Sequence, residues 1–148
     1  MTKPLREIVL RHYFEGHVAA SELDEAAAGS VERRSGSDDV PIVEHHIDEM
    51  AVEFPVRANH IVKLIDDVLA KQISLPALDA VCFCLEATNH FVWDADTDEG
   101  KRVAAAVFWL GTPEINYPLT DDVLCKIRVY VESGNNALSV ADTKQRKP

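Results

Sequence analysis

Residues 77–87, ALDAVCFCLEA, decide the fold class, because apolar side chains occupy nearly every position of this stretch. A helix that is apolar around its whole circumference is typical of the centre of a domain, where other elements cover every face. Ser74 is suited to cap such a helix, and Pro76 is tolerated in its first turn. The stretch therefore predicts a buried central helix that ends at Ala87.

Three further segments support a helical fold. Residues 58–71 place aliphatic side chains on one face and charged side chains off it. Residues 98–110 are followed by Gly111, a residue typical of a helix end, and a last helix opens at Thr120 and ends at Gly134. Because the connections are short, neighbouring helices are expected to pack antiparallel. We predict an all-α fold, a small antiparallel bundle of about five to six helices.

The N-terminal part of the chain has a weaker helical pattern. Residues 4–14 and 20–32 fit two amphipathic helices, and the second has a mostly alanine face that is expected to pack weakly. The polar segment VERRSGSDD, residues 31–39, has the composition of a turn. These features predict four regions: an N-terminal helical hairpin (1–34), a linker (35–39), a main helical domain (40–134) and a flexible tail (135–148).

Residues 40–54 fit two interpretations. The apolar residues from Val43 to Phe54 fall on one helical stripe, whereas those from Met50 to Val56 alternate as they would in a strand. The helical pattern explains more positions, and Pro41 suits the first turn of a helix. We therefore predict a helix here, with a short strand near residues 49–54 as the alternative.

The composition indicates one soluble domain. The chain has 148 residues, of which 47% are hydrophobic and 27% are charged, as is usual for globular proteins. No apolar run reaches the roughly 20 residues that a membrane span needs, and the first residues, MTKPLREIVLRHYFEG, lack a signal-peptide pattern. The three cysteines are an odd number, which argues against a disulfide scaffold. We expect a cytoplasmic protein whose cysteines are structural.

Negative charge is concentrated in the middle of the chain. The formal net charge is −10, and residues 38–100 contain fourteen acidic side chains against three basic ones. Such a protein repels nucleic acid and anionic membranes, and it associates faster with basic partners. Acidity also keeps proteins soluble without any partner. The charge therefore excludes nucleic acid and membranes as targets, and it favours a basic protein among the remaining partner classes.

The segment FVWDADTDEGKRV, residues 91–103, resembles half of a calcium loop. Starting at Asp94, acids fill the first, third and fifth positions, but the glycine falls at position seven and position twelve is Ala105. An EF-hand loop needs glycine at position six and a bidentate glutamate at position twelve. The alternative explains every residue: Thr97 or Asp96 caps a helix whose first turn is acidic. We predict a helix entrance and no metal here.

A second metal candidate lies in EHHIDE, residues 44–49. On a helix, His45 and His46 would lie four and three residues before Glu49, so the three side chains could grip one ion. A solvated acidic face with two titrating histidines accounts for the same residues. We keep a metal-dependent enzyme built on His45, His46 and Glu49 as the alternative function.

Other catalytic patterns are missing from the sequence. It contains neither a GxSxG motif nor a phosphate-binding glycine loop. His60 is better placed to help the start of its helix than to act as a base. We therefore expect no enzymatic activity and no cofactor.

Two aromatic residues stand apart from the expected core. Trp93 and Tyr117 lie in predicted loops, and acids flank them. Most large rings near helix ends fill gaps between helices. An exposed aromatic ring surrounded by carboxylates, however, has the composition of a protein–protein hot spot. Trp93 and Tyr117 are therefore candidate anchors for a protein partner.

A family resemblance adds to this interpretation. The segments HIVKLIDDVL (60–69), FVWD (91–94) and PEINYPLT (113–120) resemble small acidic bacterial immunity proteins of polymorphic or contact-dependent toxin systems. The resemblance covers about residues 40–134. It implies a non-enzymatic inhibitor that binds and neutralises a cognate toxin domain, a basic protein in the case of nuclease toxins. The partner-binding candidates are Asp38, Asp39, Glu44, Asp48, Glu49, Trp93, Asp94, Asp96, Asp98 and Tyr117.

One further alternative belongs to a different class. The protein could be a self-associating structural subunit, so that its partner is another copy of the same chain. A homo-oligomer is therefore kept beside the toxin-binding function and the metal-dependent enzyme.

Overall fold

The structure is a computed structural model that describes residues 3–35 and 41–143, with the backbone alone at 32–35 and 41–43. Over these residues the chain is mostly helical and also contains a few short strands. The helices are α1 (Glu7–Phe14), α2 (Ala20–Ala28), α3 (Ala58–Leu69), α4 (Leu75–Ala87), α5 (Asp98–Gly111) and α6 (Asp121–Ser133). The strands are β1 (Leu5–Arg6), β2 (Val31–Ser35), β3 (Pro41–His45), β4 (Ile47–Asp48), β5 (Phe54–Pro55) and β6 (Phe91–Val92).

The predicted central helix is confirmed. α4 begins after Ser74, whose hydroxyl accepts a hydrogen bond from the Ala77 amide at 3.3 Å. Seven of its 13 residues are buried, whereas Phe83 is 40% exposed. α2 and α5 both pack against this helix, and α3 packs against α6. The mostly helical character is therefore confirmed, and the antiparallel order of the bundle stays a prediction.

Helix ends follow the capping chemistry of the sequence. The Thr97 hydroxyl accepts a hydrogen bond from the Gly100 amide at the start of α5, and the Thr120 hydroxyl accepts one from the Val123 amide at the start of α6. α6 ends at Gly134, which has a left-handed φ of 81°. The segment that resembles a calcium loop is thus the entrance of α5, as predicted, with Thr97 as its cap.

The predicted helix over residues 40–54 is wrong. The described part of this segment contains β3, β4 and the first residue of β5. β3 pairs antiparallel with β2 from Val31 opposite His45 to Ser35 opposite Pro41, so the segment predicted as a polar loop is also a strand where it is described. β4 pairs in parallel with β1, and β5 with β6. Backbone pairing with the neighbouring strand β2 and with the distant strands β1 and β6 therefore overrode a local helical pattern.

The N-terminal helices join the same buried cluster as α3 to α6. Leu10 of α1 and both Leu23 and Ala27 of α2 are fully buried. α2 packs on the central helix α4, although its apolar face is largely alanine. Small side chains on α2 allow a close approach of the two helices.

The C-terminal segment contains a short 3-10 helix, Val140–Thr143. Asp142 in this helix accepts a 2.9 Å hydrogen bond from the Lys126 ammonium group of α6, and this contact lowers the pKa of the Asp142 carboxyl group. The predicted tail is thus connected to α6 by an ion pair. Residues 144–148 lie outside the described residues.

His60 supports the start of α3, as predicted. Its Nδ1 atom accepts a 2.8 Å hydrogen bond from the Arg57 amide. Burial, and the charges of Arg57 and Lys63 after it, lower the pKa of His60. The unfolded chain therefore binds a proton at His60 more readily than the folded chain does. Stability from this residue is complete above the unfolded pKa of about 6.5 and is lost as the pH falls toward the folded value.

This linkage predicts a pH-dependent difference between the wild type and a His60→Asn variant. Asparagine offers an oxygen acceptor for the Arg57 amide but does not titrate. Urea unfolding of both proteins between pH 7.5 and pH 5.5 measures the difference in their free energies of unfolding. We expect the advantage of the wild type over the variant to shrink as the pH falls. An advantage that grows toward pH 5.5 would contradict the lowered pKa.

Candidate functional site

A groove of about 500 Å³ lies where β5 and β6 meet the start of α5. Its lining comprises apolar side chains, a charged pair and the capping residues of the helix, namely Pro55, Val56, Arg57, Val92, Trp93, Asp94, Thr97, Glu99 and Gly100. Trp93 is half-buried and packs against the edge of the core. The groove therefore combines apolar and charged side chains, and two of the residues that line it, Trp93 and Asp94, are predicted partner-binding residues.

The acidic loop beside the groove, residues 94–98, is held by its own hydrogen bonds. The Asp94 carboxylate accepts a 2.9 Å bond from the Asp96 amide. The Asp94 carbonyl accepts bonds from both the amide and the hydroxyl of Thr97, at 3.1 and 2.8 Å. Asp94, Asp96 and Asp98 are all exposed. The loop therefore presents three carboxylates to solvent from a backbone that is fixed at the helix entrance.

Close approach of the loop to α5 explains the glycine in this segment. A Cβ atom added at Gly100 would lie 1.6 Å from the Asp94 carbonyl oxygen and 2.4 Å from the Asp94 carbonyl carbon. Neither backbone atom can move away without breaking the bonds that Thr97 makes. Gly100 is thus required because the loop folds directly over its Cα atom.

The opposite rim of the groove is neutralised by an ion pair. Arg57 Nη2 lies 2.8 Å from Glu99 Oε1, and Glu99 Oε2 accepts a 3.0 Å bond from the Ala58 amide at the start of α3. The hydrogen bond from Arg57, followed by that from Ala58, lowers the pKa of Glu99. Glu99 therefore connects α5 to α3, and Asp94 is the other acidic residue in the lining of the groove.

The other predicted partner-binding residues lie elsewhere. Tyr117 does not line the groove. Its half-buried ring lies edge-on to the ring of Trp109 instead, with the ring centroids 5.8 Å apart. Glu44 is on β3, and Asp48 is exposed on β4 with Arg6 at 4.0 Å. Asp38 and Asp39 lie outside the described residues. Of the described candidates, Trp93 and Asp94 line the groove together, whereas Asp98 lines a separate pocket with Lys101 and Arg102.

A second polar cluster surrounds Glu7, which sequence reasoning did not identify. Glu7 is fully buried in the first turn of α1. Its Oε1 atom accepts a 2.9 Å bond from the Met50 amide and lies 3.0 Å from His90 Nδ1. Its Oε2 atom accepts a 2.7 Å bond from the Thr88 hydroxyl. An acid in the first turn of a helix is common, so the sequence carried no pattern that distinguishes Glu7 from a solvent-exposed residue.

Glu49 belongs to this cluster and not to a site with His45 and His46. A carboxylate oxygen of Glu49, one of Glu7 and a ring nitrogen of His90 lie within 4.8 Å of one another, and this is the only such group of three metal-ligating residues in the described part of the chain. His45 stacks on Phe83 at 4.3 Å instead. The alternative metal site therefore does not assemble as expected, because the segment is a strand and not a helix.

The buried cysteines are unsuited to act as nucleophiles. Burial raises the pKa of the Cys84 thiol to about 12, with smaller contributions from Glu7 and Glu49, and burial likewise raises the pKa of Cys82. A thiol at such a pKa stays protonated near neutral pH, whereas the thiolate is the reactive form. Both thiols are free and buried. Cys125 is exposed on α6.

Comparisons with known proteins do not assign a family. Among the described helices, none combines the length and the hydrophobicity that crossing a membrane requires. No protein-family model matches the sequence, and neither the curated proteins nor the solved structures contain a match to this chain.

Proposed function

We propose that this protein is a non-enzymatic binding module that recognises a basic protein, and that its target is the toxin domain implied by the resemblance to bacterial immunity proteins. The observation that supports this function best is the groove with its half-buried Trp93 beside the exposed acidic loop, residues 94–98. An aromatic anchor next to a charged rim is the usual arrangement of an interface hot spot.

Trp93 supplies the apolar part of the interface. Part of its ring contacts the core, so the ring is already held in place and loses little freedom when a partner covers the rest. Val56 and Val92 extend the apolar floor beside it. A side chain of the partner that enters the groove therefore removes apolar surface from water without ordering a mobile loop.

The carboxylates of the acidic loop attract a basic partner over a longer distance than the apolar contacts of Trp93 do. Among the ion pairs found between described residues, none involves Asp94, Asp96 or Asp98, whereas Asp121 and Asp122 at the start of α6 pair with Lys71 and Lys126. Unneutralised carboxylates beside an apolar groove steer a basic partner toward it and raise the association rate. The net charge of −10 adds to the same attraction.

Copurification from the lysate of the native organism tests the function directly. The tagged protein is washed at low and then high salt, and the retained proteins are identified by mass spectrometry. A single basic protein or toxin domain, retained in near-equal amount, is expected. Recovery of the bait alone at low salt would contradict the proposal.

Once a partner has been identified, removing charge from the acidic loop tests whether the loop attracts it. Replacing Asp96 and Asp98 by asparagine keeps the shape of both side chains and leaves Asp94 to accept its loop bond. We expect the association rate to fall about threefold to tenfold at low salt, with the difference shrinking at about 0.5 M salt because screening removes the attraction. Stopped-flow or surface plasmon resonance measurements supply both rates.

The matched control is the double variant Asp121→Asn/Asp122→Asn. It removes the same charge from the first turn of another helix. If both double variants slow association equally, then net charge alone attracts the partner and the loop is not the contact surface. Light scattering of the purified protein tests self-association, because a stable homo-oligomer without any other partner would favour the structural alternative.

A further inference from the structure

The cluster around Glu7 contains two carboxylates that face one imidazole. Glu7 comes from α1, Glu49 follows β4 and His90 precedes β6, so three separate elements place their side chains at one point. The ligand atoms lie within 4.8 Å of one another, and the Glu7 and His90 atoms are only 3.0 Å apart. The two carboxylates repel each other, and this repulsion acts mainly on Glu7, which is buried, because Glu49 is exposed to water.

A cation beside Glu7 would offset the cost of burying its carboxylate. Glu7 has no exposed side-chain surface, and His90 is the one ionisable group of opposite charge recorded beside it among the described residues. A single protonated imidazole would neutralise only one of the two carboxylates. A divalent cation would compensate both and would remove the repulsion between Glu7 and Glu49.

We propose that Glu7, Glu49 and His90 form a binding site for a divalent transition-metal ion, with zinc as the best-suited probe. Zinc accepts imidazole nitrogen at about 2.0–2.1 Å and carboxylate oxygen at about 2.0–2.2 Å, which places its ligands about 3.0–3.5 Å apart. Glu7 and His90 already have this separation. Glu49 is exposed and reaches the ion by a rotation of its side chain.

The surrounding contacts fit a metal site. The Met50 amide and the Thr88 hydroxyl hold the two oxygens of Glu7, so this ligand is fixed before an ion arrives. The exposed side of Glu49 leaves a path from solvent and room for water as a fourth ligand. Imidazole as a ligand favours zinc, copper, iron or nickel over magnesium and calcium, which prefer oxygen alone.

Titration calorimetry and thermal unfolding test the site on chelator-treated protein. Zinc chloride is expected to bind at a one-to-one ratio and to raise the Tm by about 5 °C or more once it is well above its Kd, because an ion that binds only the folded state stabilises it. Magnesium chloride is expected to do neither. Absence of zinc binding up to millimolar concentration would overturn the proposal.

Glu49→Gln is the informative variant, because Glu49 is exposed and its loss leaves the bonds of Glu7 intact. We expect its Kd for zinc to rise at least tenfold. Asp48→Asn, at the neighbouring exposed acid, is the matched control and should bind zinc like the wild type. Equal zinc affinity of Glu49→Gln and the wild type would overturn the site.

A competing surface site is excluded with a second variant. His12 and His17 are both exposed, and their ring centroids lie 6.3 Å apart, so they could hold zinc together. The double variant His12→Asn/His17→Asn is expected to retain full zinc binding. Loss of binding in this variant would place the ion there and overturn the assignment to Glu7, Glu49 and His90. The metal site is independent of the proposed protein-binding function.

Discussion

Replacing Gly100 by alanine is expected to destabilise the protein by about 3 kcal/mol or more, because the new methyl group would collide with backbone. The added Cβ would lie 1.6 Å from the Asp94 carbonyl oxygen. To avoid this collision, either the start of α5 or the loop at residues 94–98 must move. Either movement breaks the hydrogen bonds that Thr97 donates to the Asp94 carbonyl group. Urea unfolding monitored by tryptophan fluorescence measures the change in the free energy of unfolding.

Gly111→Ala is the control in the same helix. A Cβ atom at Gly111 would lie 3.1 Å from the Cβ atom of Cys82, a contact that a small displacement of α5 relative to α4 relieves. Alanine also has a higher helix propensity than glycine by roughly 1 kcal/mol. We expect Gly111→Ala to change stability by less than about 1 kcal/mol. A Gly100→Ala variant that behaves the same way would mean that the loop does not fold over α5.

Glu7→Ala is expected to cost about 3–5 kcal/mol in the chelator-treated protein. The substitution removes the acceptor of the Met50 amide and of the Thr88 hydroxyl, and it leaves a cavity beside them. Each buried donor without an acceptor costs about 1–3 kcal/mol, and the cavity adds to this loss. The residue also joins α1 to the segments before β5 and β6, so its loss weakens contacts between distant parts of the chain.

Glu15→Ala provides the comparison for this prediction. Glu15 lies just after α1, is exposed and pairs with Arg11 at 3.5 Å. Pairs of this kind contribute about 0–1 kcal/mol. Thermal and urea unfolding of the two variants should therefore give clearly separated free energies of unfolding. Equal effects of Glu7→Ala and Glu15→Ala would show that Glu7 is not the buried centre of a hydrogen-bond network.

Helices that carry a complete local pattern could be predicted from the sequence. α4 combines a capping Ser74 with a run of apolar residues, and α6 lies between Thr120 and Gly134, where it was expected. The entrance of α5, with Thr97 as its cap, was also predicted. In each case the cap and the hydrophobic pattern lie within about fifteen residues, so a short stretch of sequence contains the signals that place the helix.

The strands could not be predicted in the same way. Residues 41–48 had a helical stripe, but their backbone groups pair with residues 5–6 and 31–35. A strand depends on its neighbour for hydrogen bonds, so its formation is decided by a segment that periodicity within a short window does not include. For the same reason the local pattern did not reveal that α2, with its alanine face, packs on α4.

The candidate site likewise has features that the sequence shows and features that only the tertiary structure shows. The sequence by itself determined that the chain is acidic and mostly helical, and it identified Trp93 and the acids at 94–98 as candidates, because composition and capping are local properties. Only the tertiary structure decided that Trp93 lines a groove and that Glu7 is buried against Met50, Thr88 and His90. Those partners lie 43, 81 and 83 residues from Glu7 along the chain. A contact over such a separation exists only once the chain has folded, because packing of the whole core brings the residues together.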